Sequence, residues 1–520
     1  MMSSSGDPKR KAMCRSVWLR RQRAKTKHHG SWVSLPRTKG PRCQQGDISD
    51  VAKNTVPVLE LDKFPEDVLH HIHSLVPLRD AARAACVSRS FLRSWRRFPN
   101  LTFSWETLGL HMNEGERAMK LRNIIHHILE NHCGTGVKTV KFLVRPCLNA
   151  ITANDLDIWL EAAVKSGIEE LAVDLPQDHG LEYSFSCLLL SCAARSLQSF
   201  SLSYCAFHPT LIIGCLKNLR SVCLRLVHIT EEELGCFFSC TISLEKLEVS
   251  QCNEITLLKI PSHLQQLSIL RVFLCRRLQM IQIYAPKVTT FSFGGPPTRI
   301  SIRNSPQLKT MAMDGLCYSR MFEFALTRIN HSIASNLQTL ILSSSSEATN
   351  MPASSAKFLH LRHLKICCCG FLRIDFFSLI SFLKASPALE TFFLSAGKPF
   401  DLRQDSILED SNADSSHLRR IPEFHHDNLK KVSITGFCSA KSLIELTCQI
   451  LENSSSLQCL VLDTTNGYNN TGICGYMEKK AVMEALRGVE AIKKYVNGKI
   501  PSGVKFVVLE PCDRCHIPKL

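Results

Sequence analysis

From Val137 onward one pattern of apolar and polar positions keeps returning: apolar-x-x-apolar-x-apolar. Its windows open at Val137, Ile168, Leu197, Leu219, Leu244, Leu267, Leu278, Val288, Leu308, Leu337, Leu361, Leu389, Leu429 and Leu457. Side chains alternate across a strand, so the last two apolar positions of each window point one way and their neighbours the other. The pattern predicts one short strand per window. The strands stack because each unit can bury its apolar side only against its neighbours. The steps Leu267 to Leu278 to Val288 are short, and the step Leu389 to Leu429 is long.

Four windows add a cysteine three residues after the last apolar position: Cys205, Cys252, Cys275 and Cys369. Together with a step of roughly 20–29 residues, this is the leucine-rich-repeat signature, in which a small buriable side chain sits where the chain leaves the strand. The architecture expected is α/β: an irregular leucine-rich-repeat solenoid of parallel strands with a concave face. The polar positions on that face include Gln198, Arg220, Lys246, His363 and Lys431. Glu245, Glu248, Arg362, Lys365 and Lys430 are the candidate substrate-binding residues among them.

Helical spacing appears between windows. Asp155 to Lys165 carries Leu156, Trp159, Leu160 and Ala163, and Lys441 to Leu451 carries Leu443, Leu446, Thr447 and Ile450. Arg122 to His132 presents Ile124, Ile125, Ile128 and Leu129, with His126 and His127 read as polar surface. Residues 399–427 are polar and break the period, which predicts a loop; a mobile segment and part of a partner site are both open readings. A helix over Met477 to Val496 and a strand over Val504 to Leu509 form an expected cap at the end of the array.

Upstream, Phe64 to Trp95 reads as three short helices. Pro65 sits at a helix start, where its missing N–H costs nothing. Glu66 and Asp67 suit the positive end of that helix. Val68, Leu69, Ile72 and Leu75 make one apolar stripe, and Pro77 ends it. Asp80 is a candidate cap for a second helix built on Ala81, Ala84, Ala85 and Val87, and Ser88 to Trp95 forms a third. The order F-P-E-D-V-L, S-L, P-L-R-D, R-A-A and V-S-R resembles an F-box of the kind found in plant F-box proteins with leucine-rich repeats. The family usually opens with Leu-Pro, where this chain has Phe64.

The resemblance implies that the F-box docks on a Skp-type adaptor joined to a cullin. Phe64, Pro65, Val68, Leu69, Ile72, Leu75, Pro77 and Leu78 would then contribute to the adaptor face. It also implies that the repeats hold a protein substrate and that the chain does no bond chemistry. The division expected is a basic tail (1–55), F-box (56–102), helical linker (103–136), repeats (137–465) and cap (466–520). A repeat scaffold with a degenerate F-box and no ligase role is the alternative.

The net charge of +17 changes this picture little, because it is concentrated at one end. Residues 1–47 hold twelve Lys and Arg against Asp7 and Asp47. A solvated tail, a nuclear-import signal and a transit peptide are all open readings of that stretch. Nucleic acid and membrane are not expected partners, and nucleus or cytoplasm is the expected location. The 24 cysteines are spread along a long chain, the habit of a reducing compartment rather than of a disulfide framework.

Cys512-x-x-Cys515-His516 matches a haem-attachment spacing, but it stands at the chain end without a haem-binding context. A zinc site there would need two further ligands. No phosphate loop, nucleophile elbow or H-E-x-x-H appears. No catalytic site, metal or cofactor is expected.

Overall fold

The computed structural model describes residues 64–132, 134, 136–145, 151–165, 167–175, 183–210, 214–303, 305–315, 320–329, 331–345, 357–368, 374–397, 403–409, 418–465 and 477–512. Its organising element is a sheet of 15 parallel strands taken in chain order. They are β1 (Asn100–Ser104), β2 (Thr139–Leu143), β3 (Glu170–Asp174), β4 (Ser199–Ser203) and β5 (Ser221–Arg225). Next come β6 (Lys246–Ser250), β7 (Ile269–Phe273), β8 (Thr290–Gly294), β9 (Thr310–Gly315) and β10 (Thr339–Ser344). The last are β11 (His363–Cys368), β12 (Thr391–Ser395), β13 (Lys431–Thr435), β14 (Cys459–Asp463) and β15 (Lys505–Leu509).

The thirteen strands β2 to β14 each begin two residues after the opening of a window, and the register aligns equivalent positions from strand to strand. Leu247, Leu270 and Phe291 stack in one buried row, and Val249, Val272 and Phe293 in the next. The residues between them form rows on the opposite face. One window does not join this sheet. Leu278 leads into Met280–Ile283, the middle strand of a second parallel sheet with Leu257–Ile260 and Arg299–Ile302. That is why its steps looked short: the spacing between windows on the main sheet skips over it.

The chain leaves β4 to β7 through Tyr204, Leu226, Gln251 and Leu274, all non-glycine residues with positive φ. A left-handed residue costs roughly 1–2 kcal/mol. Here it turns the backbone so that the next side chain, a buried cysteine in three of the four cases, faces inward. Cys252 Sγ lies 3.7 Å from Ser250 O and 3.8 Å from Leu224 O. Cys205, Cys252 and Cys275 are buried, as their corner positions require. Cys369 lies outside the described residues. Burial pushes the Cys205 thiol up to about 12 and the Cys275 thiol up to about 11.

Two convex helices start on capping boxes, Thr152 with Asp155 and Thr230 with Glu233. Asp155 does more than cap. Arg122 donates to both of its oxygens at 2.8 Å and the His126 ring lies 3.0 Å away, so His126 is part of a packed polar clamp rather than free surface. Burial works against the Asp155 charge, but these bonds outweigh it and hold the carboxyl well below the usual carboxylate range.

The break in the period is a strap. Residues 403–409 and 418–427 lie against the Lys441–Asn453 helix. Arg419 grips Asp375 with two bonds, at 2.9 and 2.7 Å, and buried Glu445 at 2.7 Å. Gln449 exchanges two hydrogen bonds with the Ile421 backbone. Described parts of this segment are therefore fastened to the array, and residues 399–402 and 410–417 lie outside the description. The helix beneath buries every residue from Ser442 to Leu451, because the strap, the Phe376–Leu379 turn and the Ile492–Val496 turn that ends the C-terminal helix (Lys479–Ala491) pack against it. Gly488 lets that last helix approach: a Cβ there would stand 3.0 Å from Phe437 O.

Candidate functional site

Two surfaces can hold a partner: the N-terminal helices and the concave face. The first is built from α1 (Glu66–Ser74), α2 (Leu78–Val87) and α3 (Arg89–Trp95). Pro65 and Pro77 stand at the N-caps of α1 and α2. Asp80 falls inside the first turn of α2 rather than at its cap, and Ser88 caps α3 by accepting from Phe91 N.

His73 ties the three helices together. It is buried, with Nδ1 2.9 Å from Ser94 Oγ on α3 and Nε2 2.8 Å from Ala81 O on α2. A carbonyl only accepts, so Nε2 carries the proton and Nδ1 accepts from the Ser94 hydroxyl. Burial lowers the His73 pKa, which keeps the ring neutral. The rings of Phe91, Trp95 and Phe98 surround it.

This packing divides the predicted stripe. Phe64, Pro65, Val68, Ile72, Leu75 and Pro77 remain exposed, with Leu75 73% accessible. Leu69 and Leu78 are each only 4% accessible, so they support the face from behind instead of forming it. On α1, Leu69 faces inward with His73, one helical turn on, while Val68, Ile72 and Leu75 share the outer side. Val87 corrects the reading of α2 as well: it is 85% accessible rather than core. Leu92 of α3 is also exposed and was missed. Helical spacing marks a stripe; only the placement of α3 decides which edge of it is covered.

The concave face is lined by the positions between buried rows. Its charges are mostly paired: Lys141 with Glu170 at 2.8 Å, Arg145 with Asp174 at 2.7 Å, and Arg271 with Glu248 at 3.6 Å. Of the predicted residues, Glu245 pairs with Arg220 at 2.7 Å. Arg362 and Lys430 share Glu390, at 3.6 and 3.2 Å. Lys365 lies over the Phe393 ring at 4.9 Å. Glu248 is nearly buried.

Glu245, Arg362 and Lys430 stand just before their strands, at one edge of the sheet, whereas Glu248 and Lys365 are in mid-strand. Asp174 and Arg225, at strand ends, and Arg145, two residues past one, were missed; the signal for the first two is the polar residue that directly follows a window. Among the described residues, no cluster of three or more His, Cys, Asp or Glu is placed to hold a metal. Of the Cys512-Cys515-His516 motif only Cys512 is described. No described helix is long and apolar enough to cross a membrane.

Comparison with known proteins agrees with this geometry. A model of the At1g61320/AtMIF1 LRR domain matches residues 128–513, and an F-box domain model matches residues 61–103. The chain belongs to the family of plant F-box proteins with leucine-rich repeats. It is 25% identical to the FBD-associated F-box protein At5g56400 of Arabidopsis thaliana, over 41% of this chain and 45% of that one. The F-box/LRR-repeat protein At5g02700 of the same plant is 25% identical, over 36% of this chain and 37% of its own. A longer match, 64% of this chain and 75% of the relative, joins it at 21% identity to the FBD-associated F-box protein At1g61330. The chain thus spans less than half the length of the first two relatives. F-box domains in general bind Skp-type adaptors in SCF complexes, and proteins of this family are typically adaptor-like.

Proposed function

We propose that this chain is the substrate-recognition subunit of an SCF-type cullin ubiquitin ligase. In this reading α1 to α3 dock on a Skp-type adaptor through Phe64, Pro65, Val68, Ile72, Leu75 and Pro77. The concave face, with Glu245, Glu248, Arg362, Lys365 and Lys430, holds a protein substrate. The chain itself does no bond chemistry and binds no cofactor. Its contribution is to raise the local concentration of the substrate beside a ubiquitin-charged enzyme. It acts in the nucleus, the cytoplasm or both, where that ligase machinery works.

One observation carries the reading. Val68, Ile72 and Leu75 stay exposed although α1 has a fully used inner side, a pattern that marks a protein-binding surface. The test is co-purification with a Skp-type adaptor, wild type beside Val68→Asp with Ile72→Asp. Both positions are exposed in the free chain, so the variant should fold as wild type by circular dichroism and lose the adaptor. Capture of both forms, or of neither where another F-box protein is captured, would leave a repeat scaffold without a ligase role.

A further inference from the structure

At the C-terminal ends of β3 to β6 the concave face carries polar groups that the fold encloses but does not pair. The residues stand in one register row: Asp174, Ser203, Arg225 and Ser250, on four consecutive strands. Three side-chain atoms in this row are shielded from solvent without a hydrogen-bond partner: Asp174 Oδ1, Arg225 Nε and Ser250 Oγ. Buried polar groups are nearly always paired, so three in one row call for an explanation.

Arg225 is the centre of it. It is half-buried, its Nε has no hydrogen-bond partner, and among the described residues no ion pair holds its guanidinium. Its neighbours are different. Arg145 bonds Asp174 Oδ2 at 2.7 Å and lies 4.9 Å from the Tyr204 ring, and Arg271 approaches Glu248. The carboxylates are thus engaged elsewhere, and the row keeps a positive excess centred on Arg225. An unpaired, partly desolvated guanidinium favours an anion presented in a fork-like geometry.

Taking the concave face as the substrate surface, we propose that Arg225 anchors an acidic side chain, carboxylate or phosphate, of an extended segment of the bound protein.

The experiment selects short peptides on the purified full chain, which needs no adaptor and so stands or falls apart from the ligase reading. One library is degenerate in the ordinary amino acids, and a second carries a fixed phosphoserine. Enrichment of Asp or Glu in the first library supports a carboxylate anchor. Enrichment only in the second supports a phosphate anchor. In either case Arg225→Gln should weaken the selected peptides by about 10- to 100-fold. Arg277→Gln, at an exposed cation in the turn after β7, should leave them unchanged. No acidic enrichment in either library, or equal binding by Arg225→Gln, overturns the proposal. Thermal melts supply the second measurement. Arg225→Met should leave Tm unchanged or raise it, because no internal partner is lost, whereas Arg145→Met should lower it. A loss with Arg225→Met as large as with Arg145→Met would make Arg225 a structural residue and also overturn the proposal.

Discussion

At the scale of single residues, His73 turns the F-box into a pH-sensitive unit. Its neutral ring bridges α2 and α3, and protonation would put a second N–H against a hydroxyl that now donates to it. Burial lowers the folded pKa beneath the ordinary value of 6.5, with Ala81 O opposing and His70 adding to the shift. The unfolded chain therefore takes up the proton first. The stabilisation is fully present above about pH 6.5 and is lost as pH falls from there toward the folded pKa. We predict that α1 to α3 lose hydrogen-exchange protection between pH 7.5 and 5.5, and that His73→Leu removes the part of this slope that His73 causes. His132 and His426 are also buried and shifted down, so the difference between wild type and variant is the quantity to read. An unchanged slope in the variant would refute the assignment.

The cysteines answer to the same logic. Cys205, Cys252, Cys275 and Cys438 are buried and their thiols are pushed up, while Cys86, Cys192 and Cys215 are exposed. The thiolate is the reactive species. Iodoacetamide at pH 8 should modify the exposed group and spare the buried one until the chain is unfolded. Mass spectrometry of the native protein checks this directly. Modification of Cys252 in the folded chain would contradict the corner packing.

Among elements, the windows of apolar spacing were legible because a strand that buries one side must alternate, and each repeat must match its neighbour. Nothing local distinguishes a window of the main sheet from one of the second sheet. Leu278 and Leu267 share the same spacing, and only stacking separates them. The strap was legible as a break in the period, but its attachment was not. The residues that fasten it, Asp375, Glu445 and Gln449, lie outside it in sequence and become partners only in the fold. The prediction at this scale concerns Arg419 and Glu445. Glu445 is buried, so Arg419→Met leaves a carboxylate without its cation. The cost should be about 2–4 kcal/mol, somewhat under the fully buried case because Arg419 is half exposed. Adding Glu445→Gln should recover part of that loss. Urea unfolding of the two single variants and the double variant reads the coupling, about 1–3 kcal/mol for groups in direct contact. Strict additivity would mean that the strap is held by its backbone bonds alone.

For the whole molecule, the question is whether the F-box is a separate bead on the chain. A unit of three short helices buries too little to be stable by itself. The structure supplies what it lacks. Leu78, Ala81 and Phe98 belong to the same continuous buried cluster as Leu101 and Phe103 of β1 and Phe142 of β2. Asn100 reaches back to Ser74 O at 3.2 Å, and His132 lies 3.1 Å from Phe98 O. A Cβ on Gly109 would fall on the Arg79 guanidinium, so the turn after β1 leaves room for the α2 side chain. The helices therefore cover the apolar end that the first repeat would otherwise expose, the part a terminal cap plays in any stacked array.

Stability in such an array passes between neighbours, so a defect at this joint should loosen both sides of it and fade with distance. Leu78→Ala should cost about 2–4 kcal/mol locally. Hydrogen exchange should then rise together in α1 to α3 and in β1 to β3, while β12 to β15 keep wild-type protection. If only the helices respond, the F-box is an independent unit and its position relative to the concave face is free. If the first strands respond with them, the two surfaces are held at one fixed separation, and a substrate on the concave face is presented at a set distance from whatever binds α1.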